Sequence, residues 1–280
     1  MIFSKIVFFL VFSKRYIKYE IDILCLIKSR LINTQVFCFL MSISIYKISD
    51  SDFRTLIKSK THRAIVPIGS LEQHGAHLPL STDSLITEHI ATRIAEKMPT
   101  FILPAIFYGV SYEHKPMFNL SIHNSTLSNV ISDICFSLVE NGIESIILLN
   151  GHYGNMGVLQ YISQNLYGKV PENIRIFSIN YWHLMQQKFD HAGEVETSLV
   201  LAIAPELVKM DKAEPNSKKI SKPKMIYSSI TNNPGSFINI TGNGIWGDPT
   251  GATANKGREL LEEIVKNLTQ TIPELENNMF

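Results

Sequence analysis

Three short segments gather most of the side chains able to do chemistry. The first, Gly69-Ser70-Leu71-Glu72-Gln73-His74-Gly75-Ala76-His77-Leu78-Pro79-Leu80-Ser81-Thr82-Asp83, packs one Glu, two His and one Asp into a loop rich in Gly, Pro and Ser. The second is Asn150-Gly151-His152-Tyr153-Gly154-Asn155, and the third is His191-Ala192-Gly193-Glu194-Val195-Glu196-Thr197-Ser198. Each sets imidazole or carboxylate beside glycine, where the backbone can bend and aim side chains inward. His, Asp and Glu without thiolate form the ligand set of zinc, manganese or iron hydrolases, and a bridging carboxylate can hold two ions about 3.5 to 4 Å apart. Glu72, His74, Asp83 and His152 are the strongest candidates, because they follow apolar runs that read as adjacent strands. The remaining candidates have plainer readings: His62, His89, His114, His123 and His183 as surface or packing residues, Glu88 and Glu96 as the solvated face of a helix.

The elements that must hold these loops follow from periodicity. RAIVPIG (63–69) is a β-branched apolar run that ends in glycine, and DSLITEHIATRIAEKM (83–98) carries apolar residues at helical spacing. FILPAIF (101–107) reads as a second strand, STLSNVISDICFSLVENG (125–142) as a capped helix, and ESIILLNG (144–151) as a third strand. NMGVLQYISQNLYG then reads as helix, NIRIFSINYW as strand, and ANKGRELLEEIVKNLTQTI as a closing amphipathic helix. Repeated strand–helix–strand units predict an α/β fold whose mostly parallel sheet is covered by helices on both faces, with reactive loops at the carboxyl ends of its strands. The stretch 216–247, rich in Lys, Ser, Pro, Gly and Asn, predicts a long irregular excursion.

Composition narrows the function. In 280 residues, 26 Lys+Arg balance 25 Asp+Glu for a formal charge of +1, so no whole-protein field draws the chain to nucleic acid or to an anionic membrane. Cys25, Cys38 and Cys135 are too few and too widely spaced for a disulfide framework, which points to a reducing, cytoplasmic setting. Near the start, the apolar run Ile6 to Phe12 is too short for a bilayer needing roughly twenty residues. Lys5 precedes it as in a signal peptide, yet Ser13-Lys14-Arg15 stands where small cleavage-site residues belong. Residues 1–44 therefore read as an extension outside the domain, with Met41 the practical start and 45–280 the domain.

The run P-I-G-S-L-E-Q-H-G-x-H-L-P-L-x-T-D, the N-G-H-Y-G-N loop, H-A-G-E-V-E-T-S and the late G-D-P-T-G-A-T-A-N-K-G resemble the creatininase family of metal-dependent amidohydrolases, in the right order over about 45 to 272. The resemblance implies a three-layer αβα sandwich, two divalent ions (Zn, Mn or Fe) per subunit, a small-molecule amide substrate and a homo-oligomer, often a hexamer. It also implies Glu72 and His152 as ligands of one ion, His74 of the other, Asp83 as the bridge, and His191 as general acid/base. Trp182 and Tyr153 are expected in the substrate pocket.

The departures from the family pattern are specific. Creatinine hydrolases carry a metal-binding Glu two positions after the metal-binding His, and here that position is Gly154. Many other members share the glycine and carry a Glu directly after H-A-G, so Glu194 is the expected fifth ligand and Glu196 a residue that orients His191 or its loop. Creatinine hydrolases also have a longer loop before the catalytic histidine, whereas here Trp182 and His191 are nine positions apart (191 minus 182). The usual Phe-Pro-Gly-Thr turn is replaced by Phe118-Asn119-Leu120-Ser121. Creatinine is thus not the expected substrate; a cyclic or formyl amide is. Two other functions fit the pattern, a metallopeptidase trimming a cofactor-precursor peptide and a non-catalytic binding protein on the same fold.

Overall fold

Alternation along the central strands decides the architecture. In β4 (Arg63–Ile68) Ile65 joins one hydrophobic cluster, while Ala64, Val66 and Ile68 join another; in β6 (Ser145–Asn150) Ile147 and Leu149 divide from Ile146 and Leu148 in the same way. Side chains of period two that are apolar on both faces require cover on both faces. The computed structural model, which describes residues 5–12, 15–22, 43–218 and 233–278, has that cover.

A five-stranded, wholly parallel sheet has the order β3 (Ile43–Ser44), β5 (Phe101–Ile102), β4, β6, β7 (Arg175–Asn180). On one face pack α1 (Asp50–Lys58), α3 (Asn124–Glu140) and the short α4 (Met156–Leu159) and α5 (Ile162–Leu166), through Phe53, Leu56, Leu127, Ile131, Leu159 and Ile162. On the other lie α2 (Thr82–Ala95), α6 (Glu194–Ile203) and α8 (Ala254–Asn278), through Ile86, Ile90, Leu199, Leu261 and Ile264. The fold is therefore the expected αβα sandwich. Each fully buried aliphatic side chain contributes roughly 1.5–3 kcal/mol. Ser49 caps α1: its hydroxyl accepts from the Asp52 amide and the Asp52 carboxylate accepts from the Ser49 amide, both at 3.2 Å.

Three segments differ from expectation. The 101–107 strand is regular only over Phe101–Ile102, because Pro104 has no N–H to give the ladder; Leu103 and Ile106 still donate to β4, at 3.0 and 2.9 Å. The helix after Asn155 is broken into α4 and α5, although Leu159, Ile162 and Leu166 keep one buried stripe across the break. Within 216–247, α7 (Ser236–Thr241) forms, while 219–232 lies outside the described residues. Near the start, β1 (Lys5–Phe12) and β2 (Arg15–Asp22) pair antiparallel as a sheet of their own. Among the described residues no helix is long and apolar enough to cross a membrane.

From β4 the chain moves to β5 on one side and then returns to β6 on the other. The carboxyl ends of β4 and β6 therefore flank a topological switch, where open α/β sheets form a crevice.

Candidate metal centre

Asn150 ends β6 at this crevice, and its side chain organises the loop beyond. Its Oδ1 accepts from the His152 amide at 3.1 Å while its Nδ2 donates to Asn180 Oδ1 at 2.8 Å. Asn155 fastens two further loops, donating to the Gly69 carbonyl at 3.0 Å and accepting from the Val110 amide at 3.0 Å. The first turn of α2, which carries Asp83, presses against both strand ends. A Cβ on Gly69 would lie 2.5 Å from the Ser84 nitrogen, and one on Gly151 would lie 2.6 Å from the Asp83 carbonyl oxygen. These two glycines are what allow that approach.

The carboxylates and imidazoles converge in two overlapping groups. In the first, His152 Nδ1 lies 3.3 Å from Glu72 Oε1 and 3.1 Å from Asp83 Oδ2. In the second, His74 Nε2 lies 3.1 Å from Asp83 Oδ1 and 3.6 Å from Glu196 Oε2. Asp83 thus turns one oxygen toward each group. Within each, the ligand atoms lie within 4.8 Å of one another, as they also do for Glu72, His74 and His191. Glu72, His74, Asp83, His152 and Glu196 are all buried. The far ring nitrogens are held by backbone: His152 Nε2 by the Val110 carbonyl at 2.8 Å and His74 Nδ1 by the Glu72 carbonyl at 3.1 Å.

Electrostatics reflects this crowding. Burial opposes ionisation of Glu72, but the imidazoles of His114 and His152 hold its carboxyl well below the usual range. Burial likewise opposes protonation of His74, but Asp83, Glu196 and Glu72 drive it up to about 10. His152 is also raised, by Glu72 and Asp83 against its burial. Glu196 is raised by burial, with His74 opposing. Three buried oxygens, Glu72 Oε1, Asp83 Oδ2 and Glu196 Oε1, receive no hydrogen bond of acceptable geometry. Uncompensated buried carboxylate oxygens are costly, and a cation among them would remove that cost.

The two glutamates of the third segment exchange the places expected of them. Glu194, expected as the fifth ligand, faces outward and pairs with Lys256 Nζ at 2.8 Å, while Glu196 points into the cluster and also accepts from the Ala192 amide at 2.7 Å. Gly154 has no room for a side chain, since a Cβ there would lie 2.1 Å from the Val110 carbonyl oxygen. His114, read from sequence as a packing residue, stands with Nε2 3.1 Å from Glu72 Oε1. Of the other histidines, His77 contacts Thr197 Oγ1 at 2.9 Å and ties the first loop to α6, and His62 contacts the Gly142 carbonyl at 3.0 Å.

His191 overlooks the cluster, with Nδ1 3.8 Å from Glu72 Oε1 and its ring 4.2 Å from that of His74. Its Nε2 lies 3.1 Å from the Gln73 carbonyl and 3.2 Å from the Gln73 side-chain nitrogen; both protons of that nitrogen have closer acceptors in the Gly244 carbonyl and His114 Nδ1, at 2.9 and 2.8 Å, so His191 Nε2 carries the proton toward the Gln73 carbonyl and Nδ1 a lone pair. Burial, then the imidazoles of His74 and His114, hold the ring well below its ordinary pKa. Backbone pairing between His191 and Trp246, at 3.1 and 2.7 Å, fixes the segment. The site opens into a cavity of about 230 Å³ lined by the cluster apart from His74, by His114 and His191, and by Glu113, Tyr153, Phe189, Asp190, Phe237, Ile240 and Trp246. Tyr153 lies there as expected. Trp182 does not: it is buried in the core, stacked on Phe189 at 4.6 Å. Phe237, Ile240 and Trp246 come from the irregular stretch, whose lack of periodicity hid them.

Residues 47–272 match the family model Creatininase, described as creatinine amidohydrolase. Creatinine amidohydrolase of Pseudomonas putida is 26% identical over 236 residues, covering 75% of this chain and 88% of its own length. A mycofactocin precursor peptide peptidase of Mycobacterium ulcerans (strain Agy99) is 29% identical over 226 residues, 74% of this chain and 83% of its own. A crystal structure of creatinine amidohydrolase (creatininase) superposes with a TM-score of 0.68 at 23% identity, covering 83% of this chain and 97% of that one.

Proposed function

The chain belongs to the creatininase family of hydrolases acting on amide bonds, and from that premise we propose that it is a two-ion amidohydrolase whose catalytic domain starts at Ile43, two residues before the expected 45, because Ile43–Ser44 pairs with Phe101–Ile102 in the sheet. The observation that carries this reading is the trio of buried carboxylate oxygens without hydrogen-bond partners, set among imidazoles in two groups that share Asp83. Glu72, His152 and one oxygen of Asp83 would hold one ion; His74, Glu196 and the other oxygen of Asp83 would hold the second. A mixed His and carboxylate set suits Zn, Mn or Fe, and bound ions would supply an activated water and a polarised amide carbonyl.

The chain's own contribution is proton handling and exclusion of bulk water. His191, neutral because of its surroundings, offers the Nδ1 lone pair toward the cluster. It can take up a proton there and give it to the amide nitrogen, which leaves readily only when protonated. The phenyl and indole rings of Phe189, Phe237 and Trp246 wall the cavity and limit water. His191→Ala should keep both ions and lose roughly a hundredfold or more in turnover. Unchanged turnover would remove His191 from proton transfer.

A cavity of about 230 Å³ favours a small cyclic or formyl amide. A peptide substrate is the second reading, resting on the similarity to the mycofactocin precursor peptide peptidase. Cleavage of short peptide amides, with small cyclic and formyl amides untouched, would select it.

A further inference from the structure

Gln73 lies between the two histidines that flank Glu72, and its side chain has no role in the chemistry above. Its amide orientation is fixed by backbone partners: Oε1 accepts from the Gly75 amide at 3.0 Å, and Nε2 donates to the Gly244 carbonyl at 2.9 Å. Gly244, at φ +78°, lets its backbone come this close, since a Cβ there would lie 2.2 Å from Gln73 Oε1. The second proton on Nε2 faces His114 Nδ1 at 2.8 Å, closer than His191 Nε2 at 3.2 Å. A nitrogen that accepts cannot carry a proton, so neutral His114 holds its proton on Nε2, the atom 3.1 Å from Glu72 Oε1. The main chain of the same residue acts oppositely on His191, because the Gln73 carbonyl takes the Nε2 proton and leaves Nδ1 bare toward the cluster. Gln73, His114 and Glu72 are all buried, so water does not compete for these bonds.

We propose that Gln73 is a positioning residue that sets the tautomers of its two neighbours: its side chain keeps the His114 Nε2 proton on the side of Glu72, and its main chain makes His191 a proton acceptor facing the cavity. His114 is then no metal ligand through Nε2, although it lies as close to Glu72 as His152 does. The tautomer assignment stands on the hydrogen bonds alone; the consequence for metal affinity rests on the two-ion reading.

Nitrogen-15 NMR of histidine side chains, on the purified protein before and after zinc loading, tests both. Expected are a proton on Nε2 of both rings and, after Gln73→Met, loss of the fixed tautomer at His114 only, because the carbonyl that holds His191 remains. Zinc titration of Gln73→Met by calorimetry should give an affinity about 10- to 100-fold weaker for one of the two ions, the usual effect of removing a residue that orients a ligand. His114→Gln, which keeps an N–H donor near Glu72, should recover part of what His114→Ala loses. A proton on Nδ1 of His114 or of His191 in the unaltered protein would overturn the inference without any variant. So would Gln73→Met protein with unchanged His114 signals. Correct tautomers in a protein that binds no zinc would leave this inference standing and sink the two-ion reading instead.

Discussion

At the scale of single residues, the centre depends on which of two glutamates turns inward. Residues two apart on a helix point about 200° apart, so Glu194 and Glu196 cannot both face the cluster once α6 is docked. Glu196 shares its stripe with Leu199 and Val200, both buried in the core, and that spacing was the signal available in the sequence. Family pattern favoured Glu194, whose carboxylate instead meets Lys256. Glu196→Gln should therefore lose one ion by elemental analysis while Glu194→Gln keeps both; the reverse outcome would return the ligand role to Glu194. Glu72, His74 and His152 were legible as a group because they sit in loops that directly follow apolar runs, and Asp83 because it ends the first of those segments at the start of α2. His114 was not, because its contact with Glu72 depends on a loop whose course no periodicity records.

At the scale of elements, the site is made by the approach of α2 to the ends of β4 and β6. Gly151→Ala would push a methyl group to 2.6 Å from the Asp83 carbonyl and 2.7 Å from Thr87 Cγ2, forcing α2 off the sheet. Such overpacking costs roughly 1–3 kcal/mol. Thermal unfolding should show a lower Tm, and zinc binding should weaken in parallel because Asp83 serves both groups; an unchanged Tm and affinity would mean that α2 can yield without disturbing the site. Strand and helix identities were readable from apolar period. The boundaries that failed did so for local reasons: Pro104 removes a ladder donor in β5, and the 156–166 helix breaks although its buried stripe continues.

At the scale of the whole molecule, the near-neutral charge gave no hint of a partner, and among the described residues the groups able to hold a metal ion gather in one crevice at a switch in strand order. The αβα architecture was legible because strands apolar on both faces, joined by amphipathic helical segments, admit few other solutions. Among the described residues, the five-stranded sheet and both hydrophobic clusters draw only on those from Ile43 onward. A chain beginning at Met41 should accordingly match the full chain in Tm and metal content, and a large loss of either would give residues 1–40 a place in the domain. Two-ion amide hydrolysis is put to the test by elemental analysis of the purified protein coupled to a panel of cyclic, formyl and short peptide amides, assayed before and after exhaustive chelation. Two ions of Zn, Mn or Fe per chain are expected, with hydrolysis lost on chelation and restored by adding the metal back. Hydrolysis that survives complete removal of metal, or a chain that takes up no divalent ion at saturation, would contradict the two-ion reading.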